Sequence, residues 1–189
     1  MCDCVYYICC MKTLIIHPKD KSTNFLRSIY KDIQYKTIIT GGCTYEDVIN
    51  EIKLHDRIIM CGHGTPNGLL SVGQFGKGLF IINQESVPYL KNKECVYIWC
   101  NSDQFVERHK LNGFYSGMFI SEVGESKFCG FNGITQHQVS SSNYTFSEIV
   151  GRYINKPLNE VYENVKSEYG VLCESNPIVK YNHDRLYYV

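Results

Sequence analysis

Arg57-Ile58-Ile59-Met60-Cys61-Gly62-His63-Gly64 and Cys95-Val96-Tyr97-Ile98-Trp99-Cys100 are two short apolar runs, each ending at a reactive side chain. Runs of this length, rich in Ile, Val and aromatic residues, read as strands buried on both faces of a parallel sheet. Working outward, residues 12–17, centred on Leu14-Ile15-Ile16, predict a first buried strand. Phe25, Leu26, Ile29, Tyr30 and Ile33 recur at helical spacing, and residues 35–40 read as a second strand closed by Gly41-Gly42. Thr44 and Asp47 have the form of a capping box ahead of a helix burying Val48, Ile49 and Ile52. Residues 66–82 predict a β-hairpin at the rim of the sheet, since Pro66-Asn67-Gly68, Gly73, Gly76 and Gly78 punctuate apolar pairs.

The second half is less regular. Residues 104–111 read as a helix and 118–121 as a short strand. Thr145 and Glu148 suggest a capping box for a helix carrying Phe146, Ile149, Val150, Tyr153 and Ile154. Pro157 opens a last helix that ends near Gly170, and residues 178–189 hold one or two strand-like stretches around a polar turn, Asn182-His183-Asp184-Arg185. Alternating strands and helices imply a three-layer α/β/α fold with a mostly parallel sheet. In such sheets ligands sit beyond the carboxyl ends of the strands.

The composition bounds the function. The chain has 189 residues, which suits one domain, and 19 basic against 19 acidic side chains. Zero net charge gives nucleic acid or an anionic membrane no electrostatic hold, so neither is expected as a partner. No apolar stretch approaches the ~18 residues of a membrane span. The ten cysteines read as reduced thiols of a cytoplasmic protein, because residues 1–10 lack the basic start and small-residue cleavage site of a signal peptide. Those ten residues read as an extension or misassigned start, and residues 11–189 as a single domain. The spacing of Cys2, Cys4, Cys9 and Cys10 fits no paired-ligand zinc pattern.

If the two quoted strands are neighbours, His63 and Cys100 emerge at one rim. A thiol beside an imidazole is the minimal cysteine-nucleophile site, and a neighbouring cationic His lowers the thiol pKa. Gly62 and Gly64 allow close approach of a substrate backbone, and the amides of Gly64 and Cys100 are natural oxyanion donors.

Here the chain resembles the caspase-like cysteine peptidases, the group of caspases, metacaspases, gingipain, clostripain, legumain and separase. Their pattern is an apolar strand ending in His-Gly, then a later strand ending in the nucleophilic Cys. Residues 58–64 and 96–100 follow that order, within a topological likeness running from Lys12 to about residue 133. Caspases carry Gln-Ala before the nucleophile and clostripain-like enzymes Asp-Ala, whereas this chain has Ile98-Trp99. It resembles a minimal member, of bacterial or phage type. The resemblance implies an endopeptidase acting on a protein or peptide, with Cys100 as nucleophile, His63 as proton carrier and no cofactor or third catalytic residue. Oligomeric state stays open.

For the substrate pocket the candidates are His17, Lys19, Asp103 and Glu122, with Lys21 and Glu125 nearby. Asp103, three residues past the nucleophile, favours a basic side chain before the cut; Lys19 or Lys21 would favour Asp. Two other readings compete. Cys61, His63 and Cys100, with Cys129 or His137, could hold zinc. Alternatively, the chain is a catalytically silent caspase-like module that binds a partner. His17, His55 and His109 read as solvated, and Cys61, Cys95, Cys129 and Cys173 as core thiols.

Overall fold

A computed structural model describes residues 11–76 and 78–189; the proposed extension at 1–10, with its four cysteines, lies outside the described residues. The main sheet has six strands: β1 (Thr13–Ile16), β2 (Lys36–Ile39), β3 (Arg57–Cys61), β7 (Glu94–Ile98), β8 (Phe114–Ser116) and β9 (Leu186–Tyr188). Their order is β2-β1-β3-β7-β8-β9, and every pairing is parallel except that of β8 with β9. Helices cover both faces, giving the expected α/β/α layers.

Period-two alternation of the strands splits the core. Ile15, Ile59, Cys61, Val96 and Ile98 face one apolar layer, and Leu14, Ile58, Met60, Cys95 and Tyr97 face the other. The first layer packs on a 3-10 segment (Asn24–Ile29) and two long helices, residues Gln136–Tyr153 and Leu158–Gly170. The second packs on α1 (Tyr45–Leu54), α2 (Val87–Leu90) and α3 (Ser102–His109). Two further helices complete the set, one before and one after the two long ones, so the chain order continues with α4 (Val123–Phe128), α5 (Gln136–Tyr153), α6 (Leu158–Gly170) and α7 (Pro177–His183).

Several local expectations hold. Thr44 and Asp47 form the capping box at the start of α1, which buries Val48, Ile49 and Ile52. The hairpin expected over 66–82 is a three-stranded antiparallel sheet: β4 (Gly64–Thr65), β5 (Gly68–Leu70) and β6 (Phe80–Ile82). It starts right behind His63, because Pro66 and Asn67 turn β4 straight into β5.

Other expectations are corrected. Phe25, Leu26 and Ile29 are buried, but on 3-10 turns rather than an α-helix; residues three apart share a side there too, so the spacing cannot tell the two apart. No strand covers 118–121; β8 ends at Ser116. Thr145 and Glu148 lie inside α5, which begins behind a Thr135–Gln138 capping box, and Glu148 instead pairs with Lys31. The Ser140-Ser141-Ser142-Asn143 run is a poor helix former, but buried partners outweigh its propensity. Ser142 Oγ lies 2.6 Å from Tyr169 Oη, and Asn143 donates to the Ser121 carbonyl. Pro157 caps α6 from outside the helix. The tail is a helix, α7, followed by one strand, and Asn182 in the supposed surface turn is fully buried.

Arg57 ties the amino ends of the strands to the helical layer. Its guanidinium is buried, pairs with Glu94 at 2.6 Å, and donates to the carbonyls of Ile154 and Lys156 past the end of α5. Removing that donor strands two carbonyls and one carboxylate. We expect Arg57→Met to cost about 3 kcal/mol of stability, read from urea-unfolding midpoints. Glu94→Gln should cost no more than ~1 kcal/mol, since its side chain is 39% exposed.

Candidate functional site

β3 and β7 pair in parallel with Cys61 opposite Ile98, and the Gly62 amide extends the ladder by donating to the Ile98 carbonyl. His63 and Cys100 each lie two residues beyond that matched pair. Both line one narrow crevice of about 20 Å3, together with Phe25, Leu26, Phe119 and Ser121. The His63 side chain is 30% exposed.

Glycine is required at both places flanking His63. Gly62 has φ +144°, which turns the chain out of β3. A Cβ on Gly64 would stand 2.0 Å from the Trp99 ring. Trp99 is 2% exposed, packs edge-on against Tyr97 and Phe105, and donates from Nε1 to the Thr65 carbonyl. The bulky residue before Cys100 therefore bolts β4 to the end of β7. In the β4–β5 ladder Leu70 N–H donates to the His63 carbonyl, so Gly64 and Leu69 form a non-hydrogen-bonded pair. The Gly64 N–H consequently points away from β5.

Cys100 sits on a braced turn. Asn101 adopts the left-handed conformation, φ +64°, which Asn tolerates better than most residues. Its amide donates to the Gly117 carbonyl, and the buried Ser116 hydroxyl donates to the Trp99 carbonyl. Cys100 Sγ donates to the Phe119 carbonyl at 3.4 Å. That carbonyl is held in place because Asn182 grips the next residue at both ends, accepting from Ile120 N at 2.7 Å and donating to Ile120 O at 2.9 Å. Sequence reading missed Asn182 because nothing local marks a polar residue that pairs so far along the chain.

Burial pushes the Cys100 thiol up to about 11, and the neighbouring Glu125 carboxylate adds to the shift. The expected lowering by a cationic His is not what this arrangement produces. His63 and Cys100 do not hydrogen-bond to each other. His63 Nε2 lies 2.6 Å from Ser22 Oγ, which in turn lies 2.7 Å from Asp20 Oδ1.

The pocket candidates scatter. His17 is neither solvated nor open to substrate: it is 3% exposed, with Nδ1 2.8 Å from Tyr30 Oη and Nε2 3.0 Å from Thr23 Oγ1. Burial, then the Arg27 charge, lowers its pKa to about 4. His17 props the Asp20–Thr23 turn from below. Lys19 is exposed at the rim. Asp103 does not line the crevice; its Oδ2 faces Gly117 beside Arg185, so the argument for a basic substrate loses its footing. Glu122 is exposed at the start of α4, and Glu125 accepts from the Ser121 amide and hydroxyl. His55 is also buried, bonded to Glu51 O and Thr37, while His109 meets Phe105 edge to face. Cys61 and Cys95 are core thiols, whereas Cys129 and Cys173 are half-buried. Among the described residues no three metal-ligating side chains cluster, so the zinc grouping of Cys61, His63 and Cys100 does not assemble there. None of their helices is long and apolar enough to cross a membrane.

No family model matches the chain, and no curated protein matches it in sequence. Among solved structures it is similar to the RcsB response regulator of Salmonella typhimurium, with 10% identity over 83% of this chain and 89% of that one, at a TM-score of 0.34. A likeness that weak carries no argument.

Two measurements test this local chemistry. Alkylation of Cys100 by iodoacetamide, followed by peptide mass spectrometry, should be slow at pH 7 and climb toward pH 11, because only the thiolate reacts. For His17 the folded pKa lies below the unfolded 6.5, so the unfolded state binds more protons between the two values. Stability should therefore be full above pH 6.5 and fall as pH drops toward 4, by up to ~3 kcal/mol, and His17→Gln should flatten that slope in urea titrations.

Proposed function

We propose that this chain is a caspase-like cysteine endopeptidase, a cytoplasmic hydrolase in which Cys100 and His63 form the catalytic dyad. The observation that carries the reading is the parallel Cys61–Ile98 register, which puts His-Gly and Cys at the same offset past neighbouring strands and into one crevice. The resemblance asked for that juxtaposition.

Because the Cys100 proton is retained in the free protein, attack and proton transfer go together. His63 takes the Sγ proton as sulfur bonds to the peptide carbonyl carbon, and the carbonyl becomes a tetrahedral oxyanion. The Gly64 and Cys100 amides stabilise that oxygen, each such donor being worth typically ~2.7–4 kcal/mol. His63 then hands the proton to the leaving amine as the C–N bond breaks, leaving a thioester. Water attacks the thioester, giving one proton to His63; the C–S bond breaks, the acid departs and the thiol is restored.

One observation favours a second reading, the catalytically silent binding module: a thiol held at about 11 and donating to a backbone carbonyl is a resting state, not a primed one. A peptide-library digest separates the two. Wild type should yield a defined cleavage pattern, and Cys100→Ala should yield none while its melting temperature stays within about 2 °C. Retained cleavage in Cys100→Ala would remove the mechanism. No cleavage by either protein would leave the binding module.

A further inference from the structure

The sequence offers no third member for the dyad, because a relay partner must come from a different loop. The structure supplies one after β1. Residues Asp20 and Ser22 turn the chain back toward His63, and three distances define the arrangement. Ser22 Oγ is 2.6 Å from His63 Nε2; Ser22 Oγ and Ser22 N are 2.7 and 2.8 Å from the same carboxylate oxygen, Asp20 Oδ1. That oxygen is itself 4.0 Å from His63 Nε2.

The proton count in this chain is determinate. An ionised carboxylate only accepts, and a hydroxyl has one proton to give. Two oxygens 2.7 Å apart need a proton between them, so Ser22 donates to Asp20. The hydroxyl oxygen is then left to accept, and the donor it faces is His63 Nε2–H. The imidazole is thereby fixed as the Nε2–H tautomer, and Nδ1 is the nitrogen left bare to take a proton.

The turn is anchored rather than incidental. Thr23 Oγ1 donates to the Asp20 carbonyl and accepts from His17 Nε2, and His17 Nδ1 accepts from Tyr30 Oη, so the same tautomer logic runs beneath the loop. The charged and titratable groups facing this cluster are Asp20, His17, His63 and Arg27. His17 stays neutral, so the Asp20 charge is directed to His63.

We propose that Asp20 and Ser22 are positioning residues for His63, with Ser22 relaying the Asp20 charge to fix the tautomer and to stabilise the imidazolium formed when Cys100 gives up its proton. This deepens the peptidase reading and rests on it for the rate effects, but the tautomer stands by itself.

The experiment therefore has two arms. In the first, long-range proton–nitrogen NMR of 15N-histidine-labelled protein reads the His63 tautomer near pH 8. Wild type should show protonated Nε2 and bare Nδ1, Ser22→Thr should keep that state, and Ser22→Ala should lose it. A wild-type His63 protonated on Nδ1, or a tautomer indifferent to Ser22→Ala, overturns the relay, whatever the protein cleaves. In the second arm, Asp20→Asn and Ser22→Ala should lower kcat roughly 10–100-fold with KM within about twofold, and Ser22→Thr should restore most of the rate. Thermal melts confirm that each variant folds, and the near-isosteric Asp20→Asn covers a misfolded Ser22→Ala. Unchanged kcat in both variants, alongside a dead Cys100→Ala, overturns the relay but spares the dyad. Absence of any wild-type hydrolysis overturns the peptidase reading and leaves the NMR arm to decide the relay.

Discussion

Everything at the rim depends on the parallel pairing of β3 with β7. Parallel strands present the same end to the same side, so two strands in register bring successive loops out together. Here the register is specified by core packing, since slipping β7 by one residue would turn Cys95 and Tyr97 into the opposite apolar layer. The positions of His63 and Cys100 are thus a by-product of how Ile58, Met60, Val96 and Ile98 are buried. Trp99 adds the lateral constraint by filling the space beneath Gly64 and bonding Thr65.

Around that frame several polar groups of the site already have partners within the chain. The Cys100 proton goes to Phe119, the His63 proton to Ser22, and the Glu125 carboxylate to Ser121. Burial of the thiol, and then the nearby Glu125 charge, both favour its protonated form. The arrangement accounts for the high Cys100 pKa without reference to its distance from any imidazole.

Much of the frame was legible in the sequence, because buried parallel strands leave continuous apolar runs and Gly-Gly or Gly-His-Gly marks their ends. The capping box at Thr44 was legible for the same reason: its two partners lie three residues apart. Most of what decided the site and escaped was long-range. The serine run in α5 looks unlike a helix until Tyr169 and Ser121 are placed beside it. The Asp103 carboxylate is close to Cys100 along the chain, yet α3 turns it toward Gly117. The contact of Asp20 and Ser22 with His63 left no local signal, since His63 is 41 residues from Ser22. Histidines flanked by charged residues looked solvated, but His17 and His55 are buried and each found two hydrogen-bond partners.

The grip of Asn182 on Ile120 has a consequence in time as well as in space. The two residues are 62 positions apart, so a growing chain exposes Cys100 and the whole β3–β7 rim well before α7 has been made. Until that helix docks, the Ile120 backbone lacks the Asn182 partner that braces the neighbouring Phe119 carbonyl. The residue that fixes the acceptor of the Cys100 proton is thus made well after the cysteine itself.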